Sequence, residues 1–170
     1  IHFSILPLYR GASPIQSALL NGDTKTGISF MEMVESLDEG PVFKISEIEI
    51  SDSDNRISLE KKLVAKAKAD IVDVIQRISN GLQPVSQSNN DVSYCCKISK
   101  EDGRINFEET AKEIINKYRA FSGWPGTFFE YKDTTIKVHG ISIIEEDNDG
   151  KPGSILGVTK GGIHFKVNDS

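Results

Sequence analysis

Residues 1–20 read IHFSILPLYRGASPIQSALL. The apolar run Ile1 to Leu6 predicts a short strand that ends at Pro7. Ser13 suits a helix cap and Pro14 the first helical position. The predicted helix runs through Ile15, Ala18 and Leu19 to a stop at Asn21-Gly22. Between strand and helix lies Leu8-Tyr9-Arg10-Gly11-Ala12. Gly11 permits positive φ there, and the free N–H groups at the helix start favour an anion or polar ligand. Arg10 either stays solvated or binds a carboxylate or phosphate; its spacing leaves both readings open.

Further along, Asp23 to Lys25 form a turn, and Gly27 to Val34 (GISFMEMV) and Pro41 to Ile50, ending in EIEI, predict two strands. The longest helix is predicted from about Ser58 to Asn80. Leu59, Leu63, Ala67, Ile71, Val74, Ile75 and Ile78 recur on one face, and Gly81 follows as the stop. Strands and helices in this order predict an α/β fold. Leu82 to Asp91 (LQPVSQSNND) is polar and reads as the start of an interdomain linker. Beyond it, Thr110 with Glu113 marks a capped helix. Short β runs then follow at Thr127–Tyr131, Thr135–Ile144, Ser154–Thr159 and Ile163–Val167. Turns separate them at Lys132-Asp133, Asp147 to Gly153 and Gly161-Gly162. That pattern predicts a small β-rich domain built as a barrel.

The chain carries 20 Lys and Arg against 25 Asp and Glu, a net charge of −5. Residues 1–83 and 101–170 each hold 9 basic and 12 acidic side chains. Neither half is a general nucleic-acid coat, although a local basic patch remains compatible with RNA. No apolar run nears the roughly 20 residues of a membrane helix. Cys95 and Cys96 are adjacent, a spacing that suits reduced thiols in a cytosolic protein and offers no zinc set. His139 and His164 fall in β runs and read as structural or solvent-facing, whereas His2 sits ahead of the Pro-x-x-Arg-Gly loop. Asp38, in Ser36-Leu37-Asp38-Glu39-Gly40, lies on a loop between strands. Catalytic side chains concentrate on such loops, and ordinary turn aspartates are common there too.

Ile1-His2-Phe3-Ser4-Ile5-Leu6-Pro7-Leu8-Tyr9-Arg10-Gly11 and Leu37-Asp38-Glu39-Gly40 resemble the folate-dependent formyltransferases. The family pattern is Asn-x-His, then Ser-Leu-Leu-Pro-x-x-Arg-Gly, and later Leu-Asp-x-Gly. Ala12-Ser13-Pro14-Ile15, Asn21-Gly22-Asp23 to Thr26-Gly27, Met31-Glu32-Met33 and Phe121-Ser122-Gly123-Trp124-Pro125 look like the branch that acts on methionyl-tRNA. Val34, Ser36 and Pro41 stand where many members carry Asp or Gly.

The resemblance implies the C-terminal part of a Rossmann-like formyltransferase domain (1–83), a linker (84–100) and an OB-like β-barrel domain (101–170). It implies 10-formyltetrahydrofolate as co-substrate, methionine-charged initiator tRNA as partner, no metal, a monomer and a cytoplasmic setting. His2 and Asp38 would be catalytic: His2 would steady the oxyanion, and Asp38 would support the charged imidazole and relay a proton. Ser4, Ile5, Leu6, Pro7, Glu35, Ser36 and Leu37 would line the folate site, with Arg10 and Gly11 at the acceptor. Lys117, Arg119, Lys132 and Lys137 offer a groove for tRNA, or simply a solvated face. The family's catalytic Asn is expected just before Ile1, and further strands after Ser170, so the isolated chain is expected to be inactive. The alternatives are another formyltetrahydrofolate-dependent formyltransferase or hydrolase, and a non-catalytic RNA-binding protein.

Overall fold

A computed structural model of the chain describes residues 1–145 and 149–169. Its elements are β1 (Arg10–Gly11), α1 (Pro14–Leu20), β2 (Lys25–Met31), β3 (Val42–Glu49), α2 (Arg56–Ser79), β4 (Tyr94–Cys95), α3 (Ala111–Ala120), β5 (Thr127–Tyr131), β6 (Thr134–Val138), β7 (Ile155–Thr159) and β8 (Gly162–Phe165).

The predicted strand Ile1–Leu6 is absent. One bridge joins His2 to Ser29, and the chain then bends and turns. The reason lies in Ser29, whose hydroxyl accepts from the Leu6 N–H at 3.1 Å and donates to the Ser4 carbonyl at 2.7 Å. A side chain thus supplies the partners that a second strand would have given, and the freed backbone can turn.

β2 and β3 form an antiparallel hairpin with a register shift at Phe30/Met31, so β2 ends earlier than expected and residues 32–41 become a loop. Gly40 is required beneath this loop: a Cβ there would lie 1.9 Å from the Glu32 carbonyl oxygen.

Helix α2 starts two residues before the predicted Ser58. Asn55 is the true cap, and Asn55 and Ser58 satisfy each other's backbone N–H groups reciprocally. Its buried face holds Leu59, Leu63, Ala67 and Val74. Ile75 and Ile78 stay exposed, and Asp70 takes an inner position instead, paired with Lys44 and Lys66. Among the described residues no helix is long and apolar enough to cross a membrane.

Helix α3 begins at Thr110 with the predicted reciprocal cap to Glu113. It serves two cores. Ala120 and Phe121 join Tyr9, Ile15, Leu19, Ile28, Leu59 and Leu63, while Ile114 joins Ile105 and Phe129. In that second cluster Phe107 stacks on Phe165, and Phe129 meets both rings edge-to-face. Polar bonds strengthen the first junction. Arg119 donates to the carbonyls of Asp54 and Ser51, and Arg56 to that of Ser122.

β5–β6 and β7–β8 are separate antiparallel hairpins, and no closed barrel forms among the described residues. A cavity of about 680 Å³ opens between them, lined by Ile105, Phe107, Phe129 and Phe165 among others. The turn expected at 147–153 begins outside the described residues.

Two carboxylates make the fold acid-sensitive. Burial opposes ionisation of Asp54, yet the Lys62 ammonium, the Ser51 amide and the Ser58 hydroxyl bring its pKa down to about 2. Ser46, Lys66 and Lys44 likewise hold Asp70 at about 2, against its burial. Both sit below the unfolded value near 3.8, so their stabilisation is complete above about pH 4 and is lost as pH falls from there toward 2. Urea midpoints measured across pH 2–6 should be flat above pH 4 and drop below it. The drop should shrink in Asp54→Asn, whose midpoint is already lower at pH 6. An unchanged acid transition in that variant would contradict this account.

Candidate active site

The loop after Leu6 and the loop carrying Asp38 meet at the end of the β2–β3 hairpin. The backbone pair His2–Ser29 fixes His2 there, with N–H···O distances of 2.9 Å in both directions. The imidazole is only 9% exposed. Its Nε2 lies 2.9 Å from the Tyr9 carbonyl, which can only accept, so Nε2 carries the hydrogen. Its Nδ1 lies 3.5 Å from Asp38 Oδ2. Both ring nitrogens therefore face oxygen acceptors, an arrangement that complements a doubly protonated ring.

Asp38 adopts φ +55°, a left-handed conformation that aspartate tolerates in turns. The same Oδ2 accepts from the Gly11 N–H at 2.8 Å. Gly11 itself has φ +119°, and a Cβ there would fall 2.3 Å from the Cys95 carbonyl oxygen. Only glycine lets β1 pair in parallel with β4 this closely while offering its amide to Asp38.

Tyr9 is the hub behind His2. It sits at φ +56°, and its carbonyl also accepts from the Cys95 thiol at 3.3 Å. Its phenol donates to Asp23 at 2.6 Å and accepts from Asn21 at 2.7 Å. Burial, then the bond to Asp23, pushes the phenol pKa up to about 12, so it remains a donor at neutral pH.

Several expected site residues are placed differently. Arg10 is 7% exposed and turned inward. It donates to Gln87 Oε1 through Nε (3.1 Å) and Nη2 (2.8 Å), and its Nη1 lies 3.2 Å from Tyr94 Oη and 3.3 Å from Glu39. Its Nε, Nη1 and Nη2 thus all meet partners within the chain, whereas the resemblance implies a place for it at the acceptor. Gly11 likewise gives its amide to Asp38 rather than to open space.

Ser4 and Leu6 are buried, while Ile5 and Pro7 are half-buried. Glu35, Ser36 and Leu37 are exposed on the loop beside Met33. Arg119 is a buried bracket, not a surface cation, and Lys117 is held by Glu109 at 2.6 Å. The four cations suggested for tRNA therefore do not form one free groove. Lys132, over the Tyr131 ring, and Lys137, on β6, are the exposed members.

Sequence reasoning missed Tyr9, Asp23, Gln87, Ser93, Tyr94 and Cys95 as parts of this region. The segment read as a linker docks across the site. Ser93 accepts from the backbone of Arg10 and from that of Tyr9, and Cys95 accepts from Ala12.

Two family models match the chain: "Formyl transferase" over residues 1–75 and "Formyl transferase, C-terminal domain" over residues 97–170. The chain belongs to the formyl transferase family. A methionyl-tRNA formyltransferase of Nitratiruptor sp. is 47% identical over 163 residues, covering 96% of this chain and 52% of the relative. A second, from Finegoldia magna, is 41% identical over 99% of this chain and 55% of its own length. The chain thus spans about half the length of the curated relatives it matches. Among solved structures, the methionyl-tRNA formyltransferase from Clostridium thermocellum superposes with a TM-score of 0.66 at 20% identity. That match covers 98% of this chain and 65% of the other. At that identity it speaks for the formyltransferase fold alone. The cavity between the C-terminal hairpins is lined by none of the residues that surround His2 and Asp38 in this formyl transferase chain.

Proposed function

We propose that the natural full-length protein transfers the formyl group of 10-formyltetrahydrofolate to the α-amino group of methionine on initiator tRNA. The close approach of His2 and Asp38 carries this reading, because that chemistry needs a proton moved. The relatives named methionyl-tRNA formyltransferase support the acceptor.

The folate supplies a formyl carbon already bound to nitrogen. When the amine takes that carbon, one proton must leave the amine and one must reach the departing folate nitrogen. Asp38 is placed to accept and return it. Among the described residues only its Oδ2 is engaged, which leaves Oδ1 for the proton. His2, pinned by the Tyr9 carbonyl, keeps its Nδ1 beside Asp38 through the exchange.

The exposed loop suits the folate. Met33 is 89% and Leu37 67% exposed, apolar surface that a planar ring would cover, beside Glu35 and Ser36. Ile5 and Pro7 offer the facing wall, with Ser4 and Leu6 setting its backbone. We read residues 1–83 as the catalytic unit, 84–100 as the connecting segment and 101–170 as an OB-like unit, which its two hairpins around one apolar cluster support. Of the four cations suggested for the tRNA backbone, Lys132 and Lys137 are the exposed ones. A cytoplasmic setting follows from that substrate.

The test is to incubate the natural full-length protein with methionine-charged initiator tRNA and 10-formyltetrahydrofolate, then resolve formylmethionyl-tRNA on an acid gel. Formylation dependent on both reagents is expected. Loss of the formyl group from the folate without formylmethionyl-tRNA would replace this reading with a hydrolase or another acceptor.

A further inference from the structure

We propose that Gln87, in the segment between the two units, is a positioning residue that sets Asp38 for catalysis; this rests on the formyl-transfer reading above. The geometry fixes its amide without ambiguity. Arg10 can only donate, so the Gln87 oxygen must face Nε and Nη2, at 3.1 and 2.8 Å. Backbone carbonyls can only accept, so its Nε2 donates to the Asp38 carbonyl at 2.8 Å and to the Gly40 carbonyl at 2.7 Å. All four hydrogen-bonding positions of the amide are filled. One side chain therefore ties the Arg10 loop to Asp38 itself and to Gly40 two residues on.

That turn needs an external clamp. Asp38 sits in the left-handed region, and among the described residues no hydrogen bond holds Met33 to Leu37 just before it. The Asp38 carboxylate reaches both Gly11 and His2 only while its backbone is held at this height. Tyr94 and Glu39 close the outer edge: Tyr94 Oη donates to Glu39 at 2.9 Å, and the Arg10 guanidinium lies over the Tyr94 ring. Placing the clamp in the connecting segment makes the docking of that segment a condition for aligning Asp38.

The experiment uses the natural full-length protein with Gln87→Leu and Gln87→Glu. Leucine removes all four bonds. Glutamate keeps the acceptor for Arg10 and, when ionised, loses both donations to the Asp38 turn. Both variants are expected to lose about tenfold in kcat for formylmethionyl-tRNA formation, with KM within twofold, when assayed well below their unfolding midpoints; Gln87→Leu, which leaves buried Arg10 donors unpaired, should have the lower midpoint of the two. In an Asp38→Asn background Gln87→Leu should cost no more than twofold, because a group acting through Asp38 has nothing left to position.

Independently of activity, the Gly11 amide, which donates to Asp38, should exchange with solvent at least tenfold faster in Gln87→Leu. Wild-type kcat in either variant, or the same tenfold loss with Asp38 already replaced, would overturn the proposal while leaving the formyl-transfer reading in place. A wild-type protein that forms no formylmethionyl-tRNA would sink that reading instead. The clamp then stands or falls on Gly11 exchange, and an unchanged rate overturns it.

Discussion

Asp38→Asn in the natural full-length protein is expected to lower kcat for formylmethionyl-tRNA formation by about 100-fold or more, the usual contribution of a positioned proton-transfer group. Asparagine preserves the shape and can still accept from the Gly11 N–H through its amide oxygen. The loop should therefore stay in place, and the unfolding midpoint should move by less than about 1 kcal/mol. What disappears is the carboxylate's charge beside His2 Nδ1, 3.5 Å away, and its ability to take up a proton. His2 is buried and Asp38 half-buried, so the effect is not the negligible one of a solvent-screened ion pair. His2→Ala should fall to a similar level. The double variant should be little worse than either single one, since the two act as a unit. Steady-state kinetics on the acid-gel assay decide it: a kcat within threefold of wild type in Asp38→Asn would remove Asp38 from the chemistry.

The parts legible in the sequence were those whose determinants are local or carried by a motif. Thr110 and Glu113 cap each other across a single turn, and helix α3 begins where their spacing puts it. Pro14 starts α1 for the same kind of reason. His2 and Asp38 were paired from the resemblance, not from their separation along the chain, and the fold places them in contact.

The misread parts depended on partners far away in sequence. Ile1–Leu6 has the composition of a strand, but the Ser29 hydroxyl takes over its hydrogen bonds and lets it turn. Ile75 and Ile78 continue an apolar stripe that nothing among the described residues covers, while Asp70 goes inside because Lys44 and Lys66 meet it. A polar stretch such as residues 82–91 spells the same whether it dangles or docks, so Gln87 left no sequence signal. Arg119 looked like a surface cation because its acceptors, the carbonyls of Ser51 and Asp54, carry no side-chain signature.

Phe121→Ala is expected to destabilise the chain by about 3–5 kcal/mol, the range for truncating a buried aromatic residue. That is a large share of the roughly 5–15 kcal/mol by which a domain is stable. Phe121 is 2% exposed at the C-terminal end of α3, yet it packs in the cluster of Tyr9, Leu19 and Leu59 rather than with the hairpins. Its neighbours cannot collapse freely into the space. Arg119 is pinned to Ser51 and Asp54, and Asn116 donates to the Leu20 carbonyl at 3.4 Å.

A shared core of this kind couples the two units. Urea unfolding followed by far-ultraviolet circular dichroism and by the fluorescence of Trp124, the chain's single tryptophan, should give one coincident transition in the wild type. Phe121→Ala should shift both curves to lower urea together, whereas Ile75→Ala, at a 54% exposed position, should move them by less than about 0.5 kcal/mol. Should Phe121→Ala instead shift the Trp124 signal alone, or cost under 1 kcal/mol, α3 would be a tether between independent units. The docking of residues 84–100 across the Asp38 loop would then lose the rigid support that the fold gives it.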